Sequence, residues 1–329
     1  MRPALLLPVL ALASMACRPQ TSGPGSPHVD ELLYLSADLT APGSFTRGVE
    51  GPACDRDGNL YAVNFERRHT IGVVRPGGQA SVFVELPNGS VGNGIRFDGH
   101  GTMLVADYVN HNILAVDLAT RQISVRAHEP AMHQPNDLAI GADDRLYASD
   151  PNWRASSGQI WRIDPDGTVS LLEADMGTTN GIEVSPDEAT LYVNESAQRR
   201  IWAYDLSAGG EIGNKRLLIE FPDGGMDGMR CDIDGHLYVT RYGMSAIAVV
   251  SPRGEIVRQV QLQGKNPSNI CFGGPDGRTC YVTLADRGNI ETFRANRPGR
   301  SWKLMQAGRT WRPLQPNRSS GPPVEPQQR

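Results

Sequence analysis

Short apolar runs alternate with polar turns along most of the chain, and this arrangement recurs six times. Each unit has a polar residue, an apolar run, a turn built on Asp and Gly, and a second apolar run such as Leu60-Tyr61-Ala62-Val63. This pattern predicts antiparallel strands joined by tight hairpins, because Asp-Gly turns supply the positive φ that such hairpins need. The six units begin at Glu50, Asn93, Asn136, Asn180, Asp227 and Asn269, which are 43, 43, 44, 47 and 42 positions apart.

Each unit also contains room for a third and a fourth strand. Ile113-Leu114-Ala115-Val116 is an example of a third run, and residues 80–84 are an example of a fourth. Four short strands in a unit of this length are typical of a propeller blade. We therefore predict an all-β fold, a six-bladed β-propeller with a central metal site, over residues 32–295. The segment 32–45 is predicted to add a strand that closes the ring, since an open ring would leave sheet edges unpaired.

Composition and charge narrow the range of possible functions. The 329 residues include 36 Gly and 24 Pro, which favours turns over long helices. The net charge is -4, but residues 294–329 carry eight basic residues and one acidic residue, which leaves -11 for residues 1–293. An acidic body argues against nucleic acid as a partner. Residues 296–329 have little apolar content and are predicted to form a flexible basic tail.

The first residues predict export. Residues 1–16 combine Arg2 with an apolar run and small residues, as a signal peptide does, and residues 17–31 are interpreted as a tether. Ser14-Met15-Ala16-Cys17 would suit a bacterial lipoprotein with membrane anchoring through a lipid on Cys17, while Ser14-x-Ala16 equally suits ordinary cleavage. The predicted location is the bacterial periplasm, either free or membrane-anchored.

Four cysteines remain after Cys17. Cys54, Cys231, Cys271 and Cys280 allow three disulfide pairings, and the sequence does not choose among them. Cys271 and Cys280 flank a turn and could bridge two strands, but buried free thiols are the favoured interpretation. The lack of a Cys-x-x-Cys or clustered His pattern argues against a structural zinc site.

The polar residue that opens each unit carries the candidate chemistry. In a propeller the innermost strands line a central channel, so equivalent positions converge on its axis. All six positions bear a side-chain oxygen, and two of them, Glu50 and Asp227, are acidic. Hard oxygen ligands with a charge of about -2 suit Ca²⁺, whereas Mg²⁺ demands a tighter geometry. Mn²⁺ or Zn²⁺ could substitute. The competing interpretation is that Asn-Gly and Asp-Gly are ordinary turn residues.

These motifs resemble the senescence marker protein, regucalcin and gluconolactonase family of six-bladed propellers over nearly all of residues 45–295. The resemblance is carried by Glu50-Gly51-Pro52, Pro135-Asn136-Asp137, Asn180-Gly181, Asp227-Gly228-Met229 and the run from Phe272 to Gly277. It implies a divalent ion, usually calcium, held by Glu50, Asn180 and Asp227, with Asn136 at the metal or at the substrate.

The resemblance also implies a reaction, the metal-dependent hydrolysis of a small-molecule lactone. A bound dication would polarise the carbonyl, and Asp227 is the candidate general base. Asn136 and Asn93 are candidate substrate contacts. Vertebrate members that hydrolyse sugar lactones carry an arginine where this chain has Gln134, so specificity for sugar lactones is an open point.

Several further residues are candidates for the rim of the site. His133 lies beside Gln134, and Trp153 and Arg154 follow the second strand of the third unit. His69 and Tyr242 also lie near the ends of inner strands and could reach the mouth. For all of them an ordinary exposed loop position is the alternative.

Two other functions stay open. Related propellers hydrolyse organophosphates and aryl esters at a similar calcium centre, so an esterase of that kind is the first alternative. The second is a non-catalytic propeller in which calcium holds the blades together and the mouth binds a ligand. Serine hydrolase and P-loop chemistry is disfavoured, because neither Gly-x-Ser-x-Gly nor Gly-x-x-x-x-Gly-Lys-Ser/Thr occurs.

Overall fold

The computed structural model describes residues 33–307, which form six four-stranded antiparallel sheets and one short helix. The predicted signal peptide (1–16) and tether (17–31), with Cys17, lie outside the described residues. Between residues 33 and 307 no helix is long and apolar enough to cross a membrane.

Each sheet is one blade, and its strands follow one another in sequence from the channel outward. Blades one and two comprise β2 (Phe45–Cys54), β3 (Leu60–Phe65), β4 (Thr70–Val74), β5 (Ala80–Glu85), β6 (Gly92–Phe97), β7 (Met103–Asp107), β8 (Asn112–Val116) and β9 (Ile123–His128). Blades three and four comprise β10 (Leu138–Ile140), β11 (Leu146–Asn152), β12 (Ser157–Ile163), β13 (Val169–Met176), β14 (Thr179–Val184), β15 (Thr190–Glu195), β16 (Arg200–Leu206) and β17 (Ile212–Glu220). Blade five comprises β18 (Met229–Cys231), β19 (Leu237–Arg241), β20 (Ala246–Val250) and β21 (Ile256–Gln261).

Blade six contains the closure of the ring. It joins β22 (Pro267–Gly273), β23 (Thr279–Leu284) and β24 (Asn289–Arg294) to β1 (Ala37–Asp38) from the other end of the chain. Ala37 lies opposite Thr292, and the Arg287 guanidinium holds both carboxylate oxygens of Asp38 at 2.7 Å. The predicted closing strand is confirmed, and so is the six-bladed fold.

The Asp-Gly turns behave as the sequence predicts. The Asp55 carboxylate accepts the backbone N–H groups of Asp57 and Asn59, both at 2.9 Å, and Gly58 supplies a φ of 80°. In blade two the Asp98 carboxylate accepts two N–H groups of its own turn in the same way. Each such aspartate organises the hairpin between the first and second strands of a blade, because it satisfies donors that the tight turn leaves unpaired.

The predicted alignment of the sixth unit is wrong by one residue. The backbone N–H of Gly228 donates to the Ser268 carbonyl oxygen at 2.7 Å, just as Gly181 donates to Asp227 and Gly94 to Asn136. Ser268, rather than Asn269, therefore opens the inner strand of blade six. The cause is a longer first hairpin. Ile270 pairs with Val282 in blade six whereas Met229 pairs with Val239 in blade five, so the later hairpin holds two more residues.

A helix, α1 (Arg300–Gln306), covers the end of the channel opposite to the opening residues. Arg300 is buried, donates to the carbonyl oxygens of Ser185 and Ile140, and forms ion pairs with Glu183 and Glu188. The predicted flexible tail is therefore wrong for residues 296–307, because this arginine anchors the helix to blades three and four. Residues 308–329 lie outside the described part.

All four cysteines within residues 33–307 are free and buried, as predicted. Cys54 Sγ of blade one lies 3.9 Å from Cys271 Sγ of blade six, across the junction of the first and last blades. Cys280 forms no bridge to Cys271, so the conceivable pair across the turn is absent from the described structure.

Candidate active site

The residues that open the inner strands meet at one end of the channel. They line a pocket of about 770 Å³ together with the loops around its mouth. Of the predicted site residues, the structure places these in the pocket: Glu50, Asn93, Asn136, Asn180, Asp227, Trp153 and Tyr242. The opening residues of all six blades therefore converge in one ring, with Ser268 as its sixth member.

The glycines beside these residues are required by close packing rather than by a turn. A Cβ on Gly94 would lie 2.8 Å from Asp137 Oδ1 and 2.9 Å from the Asn136 carbonyl oxygen. A Cβ on Gly228 would lie 2.0 Å from the Asn269 side chain. The Asn-Gly and Asp-Gly pairs thus allow neighbouring inner strands to approach each other at the channel axis, which removes the ordinary-turn interpretation.

Two carboxyl groups face each other in the ring. Glu50 Oε2 accepts the Gly51 N–H at 2.7 Å and the Asn269 amide at 2.9 Å. Burial raises the pKa of Glu50 to about 7, and the Asp137 charge adds to this effect. Burial and then the Glu50 charge raise the pKa of Asp227 well above its usual range, while a hydrogen bond with Asn180 opposes them. Two like charges held this close in a low dielectric favour protonation unless a cation lies between them.

Amide oxygens complete the donor set. Asn93 Oδ1 and Asn180 Oδ1 are buried and have no hydrogen-bond partner within residues 33–307. Such orphaned acceptors are uncommon in folded proteins and fit a site where an ion supplies the missing partner. The described residues contain no cluster of three or more His, Cys, Asp and Glu side chains of metal-binding geometry. The ring residues therefore fit a hard cation that two carboxylates and several neutral oxygens would bind.

A buried charge cluster fills the channel below the ring. Arg230 donates to both Asp137 oxygens at 2.7 and 2.9 Å, and Arg96 lies 3.5 Å from the same carboxylate. Burial alone would raise the pKa of Asp137, but Arg230 and Arg96 lower it below its usual value. In the sequence Asp137 stands out only as part of the motif Pro135-Asn136-Asp137, and neither arginine was predicted. Charged residues inside otherwise apolar inner strands were the available signal.

The residues at the mouth of the pocket are only in part those that the sequence predicts. Trp153 and Tyr242 line the pocket, and Tyr108 lines it as well. His133 and Arg154 do not line the pocket. The His133 N–H donates to Asp150, which draws this loop toward blade three, and the Arg154 side chain is exposed.

Three other rim positions also differ. His69 is outside the pocket, because its Nδ1 contacts the Ser90 carbonyl oxygen at 3.0 Å. Arg47 and Arg68 line the mouth and were not predicted. Arg68 lies in a loop and Arg47 lies near the start of β2, and a repeat pattern does not reveal which side chains at such positions reach the pocket.

Fold and site together define a six-bladed β-propeller with an acidic, amide-rich ring at the open end of its channel. The chain belongs to the SMP-30/gluconolactonase/LRE-like family, whose sequence model matches residues 49–286. It is 29% identical over 296 residues to a gluconolactonase of Zymomonas mobilis, covering 79% of this chain and 82% of the relative.

Two more distant similarities extend the comparison. Diisopropyl-fluorophosphatase of Loligo vulgaris is 25% identical over 285 residues, which cover 77% of this chain and 90% of the relative. The crystal structure of a calcium-binding protein, regucalcin, from Agrobacterium tumefaciens shares the fold, with a TM-score of 0.70 and 22% identity over 79% of this chain and 95% of that one.

Proposed function

We propose that this protein is a metal-dependent lactonase that hydrolyses a sugar-acid or related lactone. The observation that carries the proposal is the ring of two facing carboxyl groups and three amides, of which two amide oxygens are buried without partners among the described residues. A relative named gluconolactonase, similar over most of both chains, supports the same reaction.

Glu50, Asn180 and Asp227 would hold the ion, and Asn136 and Asn93 would contact either the ion or the substrate. The oxygen donors and their charge favour Ca²⁺, and Mn²⁺ or Zn²⁺ are alternatives. When bound, the ion would supply positive charge that polarises the lactone carbonyl.

Asp227 is the proposed general base. Its carboxylate lines the pocket beside the ring amides, where it can accept a proton from an attacking water. Water attacks the carbonyl carbon and gives a proton to the Asp227 carboxylate, the bond from that carbon to the ring oxygen breaks, and the proton passes to the leaving oxygen. The products are a hydroxyl group and a carboxylic acid, so one water is consumed for each ring opened.

The test is hydrolysis of a panel of aldonolactones and simple γ- and δ-lactones, with chelator and with added Ca²⁺, Mn²⁺ or Zn²⁺. We expect turnover that chelator abolishes and Ca²⁺ restores. Glu50→Gln should weaken metal binding, measured by calorimetry, and Asp227→Asn should lower kcat by at least roughly 100-fold.

The matched control is Asp223→Asn. Asp223 lies four residues before Asp227, is outside the pocket and pairs with Arg241 at 2.9 Å. This variant should retain wild-type turnover. Unchanged metal binding and hydrolysis in Glu50→Gln and Asp227→Asn would overturn the site assignment, and metal binding without turnover of any lactone or ester would favour a ligand-binding propeller.

Hydrolysis of organophosphates is the second candidate function. It is favoured by the similarity to diisopropyl-fluorophosphatase, which covers 90% of that relative. The same panel extended to a fluorophosphate and aryl esters separates the two functions, because the preferred substrate is the one with the higher kcat/KM.

We also propose that the protein is exported, with a free or a lipid-bearing N-terminus at Cys17. The mass of the mature chain distinguishes the two forms, since a diacylglyceryl group on Cys17 adds mass that cleavage alone does not. A mature chain that keeps residues 1–16 would contradict export.

A further inference from the structure

The mouth of the pocket is built from equivalent loops, one from each blade. Each loop joins the second and third strands and brings one or two residues to the rim. From blade one to blade six these residues are Arg68, Tyr108, Trp153, Ser196 with Ala197, Tyr242 and Ala285. Blade one alone contributes a charged residue through this loop, while the others contribute aromatic or small residues.

Arg47 adds a second positive charge on the same side. It lies in β2, three residues before Glu50, and lines the same pocket. The two segments are joined where the Asn64 amide donates to the Gly48 carbonyl oxygen at 2.7 Å. Both arginines therefore project from one connected part of blade one, beside the acidic ring.

Neither Arg47 nor Arg68 has an ion pair or a side-chain hydrogen bond to another residue of the described range 33–307. The neighbouring Arg67 differs, because its guanidinium lies 2.8 Å from the Glu85 carboxylate. Glu66, two residues before Arg68, does not line the pocket. Two guanidinium groups at the mouth are thus left available for a ligand.

The charge balance of the pocket indicates the sign of that ligand. Its charged lining residues are Arg47, Arg68, Glu50 and Asp227. If the two carboxylates are neutralised by a divalent cation, the arginines leave an excess of two positive charges. A neutral lactone would leave both uncompensated, whereas an oxyanion on the substrate would accept their N–H donors in paired geometry.

We propose that Arg47 and Arg68 form a subsite for a second, anionic group of the substrate, so that the preferred lactones carry a phosphate, sulfonate or carboxylate away from the ring carbonyl. This inference rests on the proposed lactonase function and specifies its substrate class. In this arrangement the lactone carbonyl of the substrate lies at the acidic ring, and the anionic group of the substrate lies toward blade one.

The experiment compares kcat/KM for 6-phospho-δ-gluconolactone and for neutral δ-gluconolactone. The wild-type protein should prefer the phosphorylated lactone by roughly tenfold or more, since a charge-assisted hydrogen bond is worth about one decade of affinity. Arg68→Gln and Arg47→Gln should each lower kcat/KM for the phosphorylated lactone by roughly that factor, mainly through KM. Turnover of the neutral lactone should stay within about twofold.

Arg67→Gln is the matched control, because it removes an adjacent exposed arginine that is paired away from the pocket. It should change the turnover of neither substrate. Equal kcat/KM for the two lactones in the wild type, or an unchanged preference in the double variant Arg47→Gln/Arg68→Gln, would overturn the subsite.

The two proposals fail separately. If no lactone is hydrolysed, the lactonase function fails, and the subsite is judged by calorimetric binding of 6-phosphogluconate in the presence of Ca²⁺. Binding that the wild type shows and the double variant loses would support an anion subsite without lactonase activity. Absent or equal binding in the two proteins would overturn it.

Discussion

At the residue scale, the site depends on charges that are buried in two layers. The upper layer has the Glu50 and Asp227 carboxyl groups, whose pKa values are raised mainly by burial. The lower layer has Asp137 between Arg230 and Arg96, where opposite charges lie in direct contact. The upper layer thus combines two like charges, whereas the lower layer balances its own, and each layer makes a distinct prediction.

The upper layer predicts a pH-dependent stability of the metal-free protein. The folded Glu50 carboxyl keeps its proton up to a pKa of about 7, against an ordinary value of 4.5. Between these values the folded state binds more protons than the unfolded state, so the free energy of unfolding falls as pH rises, by on the order of 3 kcal/mol. We expect the Tm of chelated protein to fall between pH 4.5 and 7.

Differential scanning calorimetry with chelator or with Ca²⁺ measures this effect. Glu50→Gln is the reference, because it removes one of the two titrating carboxyl groups of the ring and should make the profile less steep. Ca²⁺ should raise the Tm more at mildly alkaline pH than at mildly acidic pH, since the ion binds the ionised carboxylates. A chelated wild-type profile parallel to that of Glu50→Gln would contradict the assignment.

The lower layer predicts a large cost for removing one charge. Asp137→Asn would leave the buried Arg230 and Arg96 guanidinium groups without their carboxylate, which should lower the free energy of unfolding by about 3–5 kcal/mol. Asp205→Asn, which breaks an exposed pair with Arg216, should cost less than about 1 kcal/mol. Urea unfolding of the three proteins checks this, and similar losses in both variants would refute it.

At the element scale, the inner strands combine two requirements. Their blades pack against one another through aromatic and aliphatic side chains, as Tyr61 of blade one does against Phe97 of blade two at a ring distance of 5.7 Å. Their channel ends must approach neighbouring strands closely, which glycine permits. Local sequence therefore determines where the strands form. Glycines, which have no side chain, determine how closely the strands approach at the channel axis.

This spacing predicts the effect of adding one methyl group. Gly94→Ala places a Cβ 2.8 Å from Asp137 Oδ1 and 2.9 Å from the Asn136 carbonyl oxygen, both in the segment that enters blade three. The substitution should lower the free energy of unfolding by about 1–3 kcal/mol. Because the strain lies inside the ring, the affinity for Ca²⁺ should also drop. Scanning calorimetry measures the stability, and titration calorimetry measures the Ca²⁺ affinity.

Gly213→Ala is the control for this substitution. Gly213 lies in β17, at the outer edge of blade four, and a Cβ there meets no atom within 4 Å. This variant should be neutral or slightly stabilising. Equal stability and equal Ca²⁺ affinity in the two variants would show that the close approach at Gly94 does not matter.

At the scale of the whole molecule, the ring is closed in two places. The outer closure is the pairing of β1 with β24, and the inner one is the contact between β2 and β22, where Cys54 and Cys271 meet. Burial raises the pKa of the Cys231 and Cys280 thiols well above the usual range, and contact with Cys271 followed by burial does the same for Cys54. Protonated, buried thiols react slowly.

The structure therefore predicts how the propeller thiols behave in the folded and unfolded protein. Without added reductant, on average fewer than one of these four cysteines should react with a thiol reagent within minutes, and all four should react after unfolding in guanidinium. Peptide mass spectrometry assigns the label to each position. Rapid reaction of two or more of them in the folded protein would contradict the closed ring, and two unlabelled positions after unfolding would indicate a disulfide.

Much of this architecture was determined by the sequence alone. The number of blades, their hairpins and the ring positions at Glu50, Asn93, Asn136, Asn180 and Asp227 follow from a repeat whose signals are local, because turn chemistry and strand alternation act over a few residues. Only the tertiary structure decided that Ser268 replaces Asn269, since a longer hairpin shifts the register of blade six. It also decided that Arg230 reaches Asp137, 93 residues away, that Arg68 rather than Arg154 enters the pocket, and that Arg300 anchors a helix. These contacts join distant segments, and their geometry exists only once all six blades are packed around the channel.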